Sequence, residues 1–101
     1  MTNSDGIKIA VVIPCHRVAA SICNVIASIT PDIAHIICVD DACPENSGDK
    51  IDKSYSTDPR VHVIKHDVNK GVGAAVVTGY REALRKDAHI VVKIDGDGQM
   101  D

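Results

Sequence analysis

Four short runs rich in β-branched residues, at residues 8–13, 35–39, 61–65 and 90–94, recur along the chain with helix-periodic or turn-forming sequence between them. Such runs fit buried strands. After the first, Val18, Ile22, Val25, Ile26 and Ile29 fall at i, i+4, i+7, i+8 and i+11, one apolar helix face that Thr30-Pro31 ends. After the third, Asn69-Lys70-Gly71 opens a segment in which Val76, Val77, Tyr80 and Leu84 again keep helical spacing. Residues 40–49 are dense in turn formers and read as a loop, with a short helix expected from about 50 to 56 and a break at Asp58-Pro59. Pro14 is expected to stop the first strand. Alternating strands and helices on short connections predict right-handed crossovers and strands apolar on both faces. The expected class is α/β, a doubly wound, largely parallel sheet.

Length holds this to one small domain: 101 residues support a modest core and no second one. With two tyrosines and no Phe or Trp, that core must be built from Val, Ile and Ala. Residues 1–6 are polar and expected to be disordered, leaving 7–101 as the folded unit. They lack the basic-then-apolar pattern of a secretory signal, and no apolar run reaches membrane-spanning length, so a cytoplasmic location is expected. A net charge of −3 with acids and bases interspersed gives no basic stripe, which argues against a nucleic-acid partner. Cys15, Cys23, Cys38 and Cys43 form no C-x-x-C pair and read as thiols packed like small hydrophobes.

In such a sheet ligands sit beyond the carboxyl ends of the strands, where four polar loops converge. Asp95-Gly96-Asp97-Gly98-Gln99 follows the fourth strand. Asp97 and Gln99, two apart in extended chain, point the same way with Asp95 beside them, an oxygen-rich set for a divalent cation carrying a diphosphate. A solvated acidic turn is the plain alternative; an EF-hand is not, because a strand precedes the motif and its glycine is misplaced. Asp40-Asp41 can accept hydrogen bonds from a base or a ribose, or one of the pair can cap the following loop or helix. Asn69-Lys70-Gly71-Val72-Gly73 places small residues at a helix start, where free N–H groups attract anions, although close helix–sheet packing explains Gly73, Ala74, Ala75 and Gly79 equally well. Pro14-Cys15-His16-Arg17 offers an imidazole to stack on a base and a guanidinium to reach a phosphate. Without glycine in this first turn, a dinucleotide oxidoreductase fits poorly. The other histidines, His35, His62, His66 and His89, have no ligand spacing and are expected to flank strands. Lys93 is expected to extend its ammonium to an edge or a neighbouring acid.

Taken in order, the segments 12–17, 39–44, 69–75 and 95–99 resemble the family 2 glycosyltransferases of GT-A fold, closest to the dolichyl- and polyprenyl-phosphate sugar synthases. The resemblance implies the Rossmann-like, donor-binding N-terminal half of a GT-A domain, truncated after its D-x-D motif. It implies a transferase, inverting, using a UDP- or GDP-sugar, with Mg²⁺ or Mn²⁺ held by Asp95, Asp97 and Gln99. Pro14, His16, Arg17, Asp40 or Asp41, Gly71 and Asp95 would lie along the nucleotide, and a polyprenyl phosphate would be the acceptor, with the whole protein peripheral to a membrane. No catalytic residue is expected within these residues, because in the family the base follows D-x-D; the fragment alone is expected to be inactive, with a sheet edge open to self-association. Two departures stand out: Arg17-Val18-Ala19 lacks the family's acids, and Ala42-Cys43 replaces its Gly-Ser. A non-catalytic nucleotide- or metal-binding module is the rival reading.

Overall fold

In a computed structural model, residues 6–96 are described, and the expectations placed on Asp97 and Gln99 lie outside them. The elements run β1 (Ile9–Cys15), α1 (Ile22–Ala27), β2 (His35–Asp40), α2 (Ser47–Tyr55), β3 (Val61–Lys65), α3 (Val72–Arg85) and β4 (Ile90–Lys93). The four strands form one sheet in the order β3-β2-β1-β4, every neighbour parallel. This is the doubly wound α/β arrangement the alternation predicted.

Three of the boundaries that differ from the sequence reading have a clear physical reason. Pro14 does not stop β1: it pairs with Val39, and Cys15 pairs with Asp40. Along a parallel strand, alternate residues address opposite neighbours. The carbonyls of Ile9 and Cys15 accept from the β2 side, and that of Val12 accepts from Ile94 beyond β4. Pro14 therefore faces the β4 side, past the last β4 partner, where its missing N–H costs no ladder bond. The helix α1 is shorter than its apolar face, because residues 18–21 form a turn closed by the Ser21 and Ile22 amides on the Val18 carbonyl. Val18 and Ile29 still pack on the core. The helix α2 starts earlier than expected, at Ser47, because Asp40 caps it from outside the helix.

The sheet has two unequal cores. Val11, Ile13, Cys15, Ile36 and Cys38 meet Ile22, Val25 and Ile26 of α1 and Ile51 of α2 on one face. Ala10, Val12, Ile37 and Val39 meet Ala75 and Ala83 of α3 on the other. Each fully buried isoleucine contributes about 1.5–3 kcal/mol relative to exposure, so the first face carries more of the stability. The second face is built for closeness instead. A Cβ on buried Gly79 would overlap the Val12 side chain, so α3 sits nearer the sheet than any larger residue would allow. Gly73, by contrast, is exposed with open space around its Cα, so close packing accounts for Gly79 and Ala75 but not for Gly73.

Because the chain winds from β1 outward to β3 and then returns to place β4 on the other side of β1, the connections diverge between β1 and β4. A crevice opens there at the carboxyl edge. The same arrangement leaves β4 at the sheet edge with Ile90 and Val92 exposed, and leaves Val77, Tyr80 and Leu84 exposed on α3. Among the described residues no helix is long and apolar enough to cross a membrane.

Candidate functional site

The crevice holds a cavity of about 500 Å³. Pro14, His16 and Val18 form its β1 side, Asp41 and Asn69 its floor beyond β2 and β3, and Gly71, Val72 and Ala75 the start of α3. Asp95 and Gly96 close it from β4. Of the residues expected along a nucleotide, Pro14, His16, Asp41, Gly71 and Asp95 meet in this one wall. Arg17 and Asp40 are not part of it.

The two acids of the doublet have separated tasks. Asp40, 6% exposed, points away beneath the loop. Its Oδ1 accepts the Cys43 N–H at 2.7 Å and its Oδ2 accepts the Gly48 N–H at 2.9 Å. The first turn of α2 is thereby capped by a residue eight positions back. The approach is so close that a Cβ on Gly48 would lie 2.6 Å from Oδ2, which requires glycine there. Asn46, just before the helix, takes the left-handed conformation at φ 54° that lets the loop turn into it.

Asp41 turns the other way, into the cavity wall. Its Oδ1 accepts from His66 Nδ1 and from the Lys70 amide, each at 2.8 Å, and its Oδ2 accepts the Gly71 N–H at 2.9 Å. Burial pushes this carboxyl up, but the bonds from His66, Lys70 and Gly71 outweigh it and hold the group below the usual aspartate range. Asp41 is therefore an ionised acceptor. Gly71 needs its lack of side chain: φ 95° and ψ 161° is backbone that essentially only glycine adopts. No side chain caps α3, so its first amides open toward the cavity.

His66 was invisible to sequence reasoning beyond a place after a strand. Its Nε2 lies 2.9 Å from the Thr78 hydroxyl on α3, and its own amide donates to the Asp40 carbonyl at 2.8 Å. Because an ionised carboxylate only accepts, Nδ1 carries the proton of its contact with Asp41, while Nε2 shares a second hydrogen bond with the Thr78 hydroxyl. Asn69, in the motif already singled out, lies with its Nδ2 3.3 Å from both His16 Nδ1 and the Asp41 carbonyl.

On the β1 side, Arg17 is exposed in left-handed backbone at φ 57°, with its N–H on Cys43 Sγ at 3.0 Å. Burial raises the Cys43 thiol, yet donation from Ser47 and nearby amides lowers it overall. The Cys43 side chain thus ties the β1 loop to the α2 loop, which gives a reason for a cysteine there. Cys15 is pushed far up by its hydrogen bond with Cys38 and by burial, and stays a protonated thiol. All four cysteines are free, as expected.

At β4, Ser21 Oγ, at the start of α1, donates to the Gly96 carbonyl at 2.8 Å. Gly96 is buried against Val18 and Ile13, where a Cβ would come within 3.1 Å of Val18 Cγ2. The acidic segment is therefore anchored up to Gly96. Asp95 is partly exposed and pairs with Lys93 Nζ at 2.9 Å, the neighbouring acid expected for that lysine. Its carboxylate is an oxygen donor of the kind that hard divalent cations take. The described residues supply this one acid of the motif, and no group of three ligating side chains occurs among them.

The chain is 36% identical over 63 residues to an undecaprenyl-phosphate mannosyltransferase of Micrococcus luteus, covering 62% of this chain and 26% of that protein. It is 38% identical over 65 residues to a polyprenol monophosphomannose synthase of Mycolicibacterium smegmatis, covering 63% and 24%. It is 50% identical over 40 residues to a UDP-N-acetylglucosamine–dolichyl-phosphate N-acetylglucosaminyltransferase of Methanococcus voltae, covering 40% and 16%. The matches thus span about a quarter or less of the curated relatives' length. The sequence profile of glycosyl transferase family 2 matches residues 10–101, nearly the whole chain, and the protein belongs to that family.

Proposed function

We propose that these residues form the donor-binding half of an inverting glycosyltransferase that takes its sugar from a UDP- or GDP-sugar. The acceptor is a polyprenyl phosphate presented at the cytoplasmic face of a membrane. The observation that carries this reading is the meeting of all four carboxyl-edge loops around one cavity, with Asp41, Gly71 and Asp95 in its wall. A carboxylate floor at Asp41 suits the nucleoside. The uncapped start of α3 suits the phosphates. Mg²⁺ or Mn²⁺ on Asp95, Asp97 and Gln99 would supply Lewis-acid screening of the leaving diphosphate. His16 flanks the nucleoside, and Arg17, exposed beside it, is free to reach an anion. The chain's own residues thus bind and orient the donor, while the base that deprotonates the acceptor lies outside them, so that alone they bind nucleotide and transfer no sugar. The exposed β4 edge and the α3 stripe at Tyr80 and Leu84 favour self-association of this chain by itself.

Calorimetry of the 101-residue chain with UDP and with GDP, each with and without Mn²⁺, tests the assignment. One of the two nucleotides binds, Mn²⁺ strengthens it, and Asp97→Ala abolishes the metal dependence. Binding indifferent to both metal and Asp97→Ala, or no binding of either nucleotide, refutes the reading.

A further inference from the structure

We propose that His66 is the positioning residue of this site, fixing Asp41 so that a nucleoside meets one preset hydrogen-bond acceptor, the remaining lone pair of Asp41 Oδ2. The inference rests on the donor-binding reading and adds to it the residue that holds Asp41 in place for the nucleoside.

The arithmetic of the carboxylate carries the argument. An ionised carboxylate offers about four acceptor sites. Oδ1 is filled by His66 Nδ1 and the Lys70 amide, and Oδ2 holds the Gly71 amide. One site is left, on Oδ2. A ligand group that uses it must be a donor, and a single one: a base N–H or a ribose hydroxyl fits, whereas a phosphate oxygen is repelled. The nucleoside end therefore belongs at Asp41 and the diphosphate elsewhere in the cavity. His66 is what makes the acceptor fixed. Its ring is 7% exposed, is held at Nε2 by Thr78, and is anchored through its backbone to Asp40, so it cannot follow a moving carboxylate. Without its donation Oδ1 regains a free site and Asp41 is held by the Lys70 and Gly71 amides alone, so its remaining acceptor site is less sharply fixed and a ligand donor can be drawn to Oδ1 instead.

Paired variants separate this from a general structural role, because the amide of Asn overlays Nδ1 of histidine and that of Gln overlays Nε2. His66→Gln keeps a partner for Thr78 and loses the donor to Asp41; His66→Asn does the reverse. Using the nucleotide that the parent chain binds, calorimetry is expected to show affinity about tenfold weaker in His66→Gln, equivalent to about 1.4 kcal/mol, and largely restored in His66→Asn. Inorganic pyrophosphate with Mn²⁺ should bind both variants as it binds the parent. On the parent itself, ¹⁵N NMR of the imidazole should show His66 protonated at Nδ1 and unchanged in tautomer when nucleotide is added, a readout that needs no variant to fold. Equal nucleotide binding by the parent and His66→Gln overturns the inference while leaving the donor-binding reading intact. So does an equal loss of pyrophosphate, a His66→Asn no better than His66→Gln, or an Nε2–H tautomer. A parent that binds neither nucleotide removes both.

Discussion

Replacing Asp40 by alanine should damage the fold rather than the ligand site, although Asp40 stands beside a residue of the cavity wall. The carboxylate is 6% exposed and accepts two amides, Cys43 at 2.7 Å and Gly48 at 2.9 Å. Alanine leaves both N–H groups without a partner in a space too tight for water to follow easily, since even a Cβ on Gly48 would crowd the side chain. Each orphaned buried donor costs about 1–3 kcal/mol, so the pair costs about 3 kcal/mol, toward the lower end of a simple sum because the α2 turn can partly relax. A domain of this size has roughly 5–15 kcal/mol in total, and about 4–8 °C of melting temperature goes with each kcal/mol, giving a drop of about 12–24 °C. Asp40→Asn should fall between parent and alanine, because its carbonyl keeps one amide while its NH₂ confronts the other. Thermal and urea melts measure this, with nucleotide calorimetry below the transition as the second readout. Melting within about 3 °C of the parent together with lost nucleotide binding would refute the reasoning and make Asp40 a ligand contact.

Two glycines of α3 should respond with opposite signs. Gly79→Ala forces a methyl into Val12 and should destabilise by about 1–3 kcal/mol in urea melts, a cost that Val12→Ala relieves in the double variant; Gly73→Ala, in open space, should stabilise by about 0.5–1 kcal/mol. Additivity of Gly79→Ala with Val12→Ala would show that the two side chains do not meet. A pH effect should come from the opposite end of the sheet, where His35 Nδ1 and His62 Nε2 lie 3.1 Å apart across β2 and β3. Burial, with Lys86 nearby, lowers both below the ordinary value of 6.5, so the folded state favours the neutral rings. Between that value and the lower folded one the unfolded chain binds more protons. Stability is therefore fully present above about pH 6.5 and is lost as pH falls through the folded values. Asp41 adds a further loss only in the more acidic range below its unfolded value of 3.8. Urea midpoints flat from pH 8 to 7 and falling toward pH 5, with the fall reduced in His62→Gln, are expected; an unchanged slope in that variant would show that the pair is not the source.

Much of this was legible along the chain because it depends on local pattern. The β-branched runs and the 3.6-residue spacing of Val18, Ile22, Val25 and Ile26 needed only their neighbours to declare strand and helix, and alternation then dictated a parallel, doubly wound sheet. That topology in turn brought His16, Asp41, Gly71 and Asp95 to one edge, as the sequence reading expected. The boundaries were another matter. Whether Pro14 ends a strand depends on which neighbour its absent N–H would have addressed, and β4, some eighty residues away, answers that. Where α2 begins depends on a carboxylate from another element.

The division of labour inside Asp40-Asp41 shows the limit most clearly. As letters the two are interchangeable, and either one capping while the other serves a ligand was equally consistent with the sequence. Alternation at the end of β2 sends their side chains to opposite sides, one toward Gly48 and the other toward His66, Lys70 and Gly71. His66 and Thr78 carry no motif because their meaning is a pair of hydrogen bonds across long sequence separation. Residue type and spacing settled the fold class and the edge at which chemistry gathers, since those follow from short-range sterics and hydrophobic periodicity. Tertiary packing alone settled which acid faces the cavity, since the direction of a buried side chain is decided by the donors that other segments bring to it.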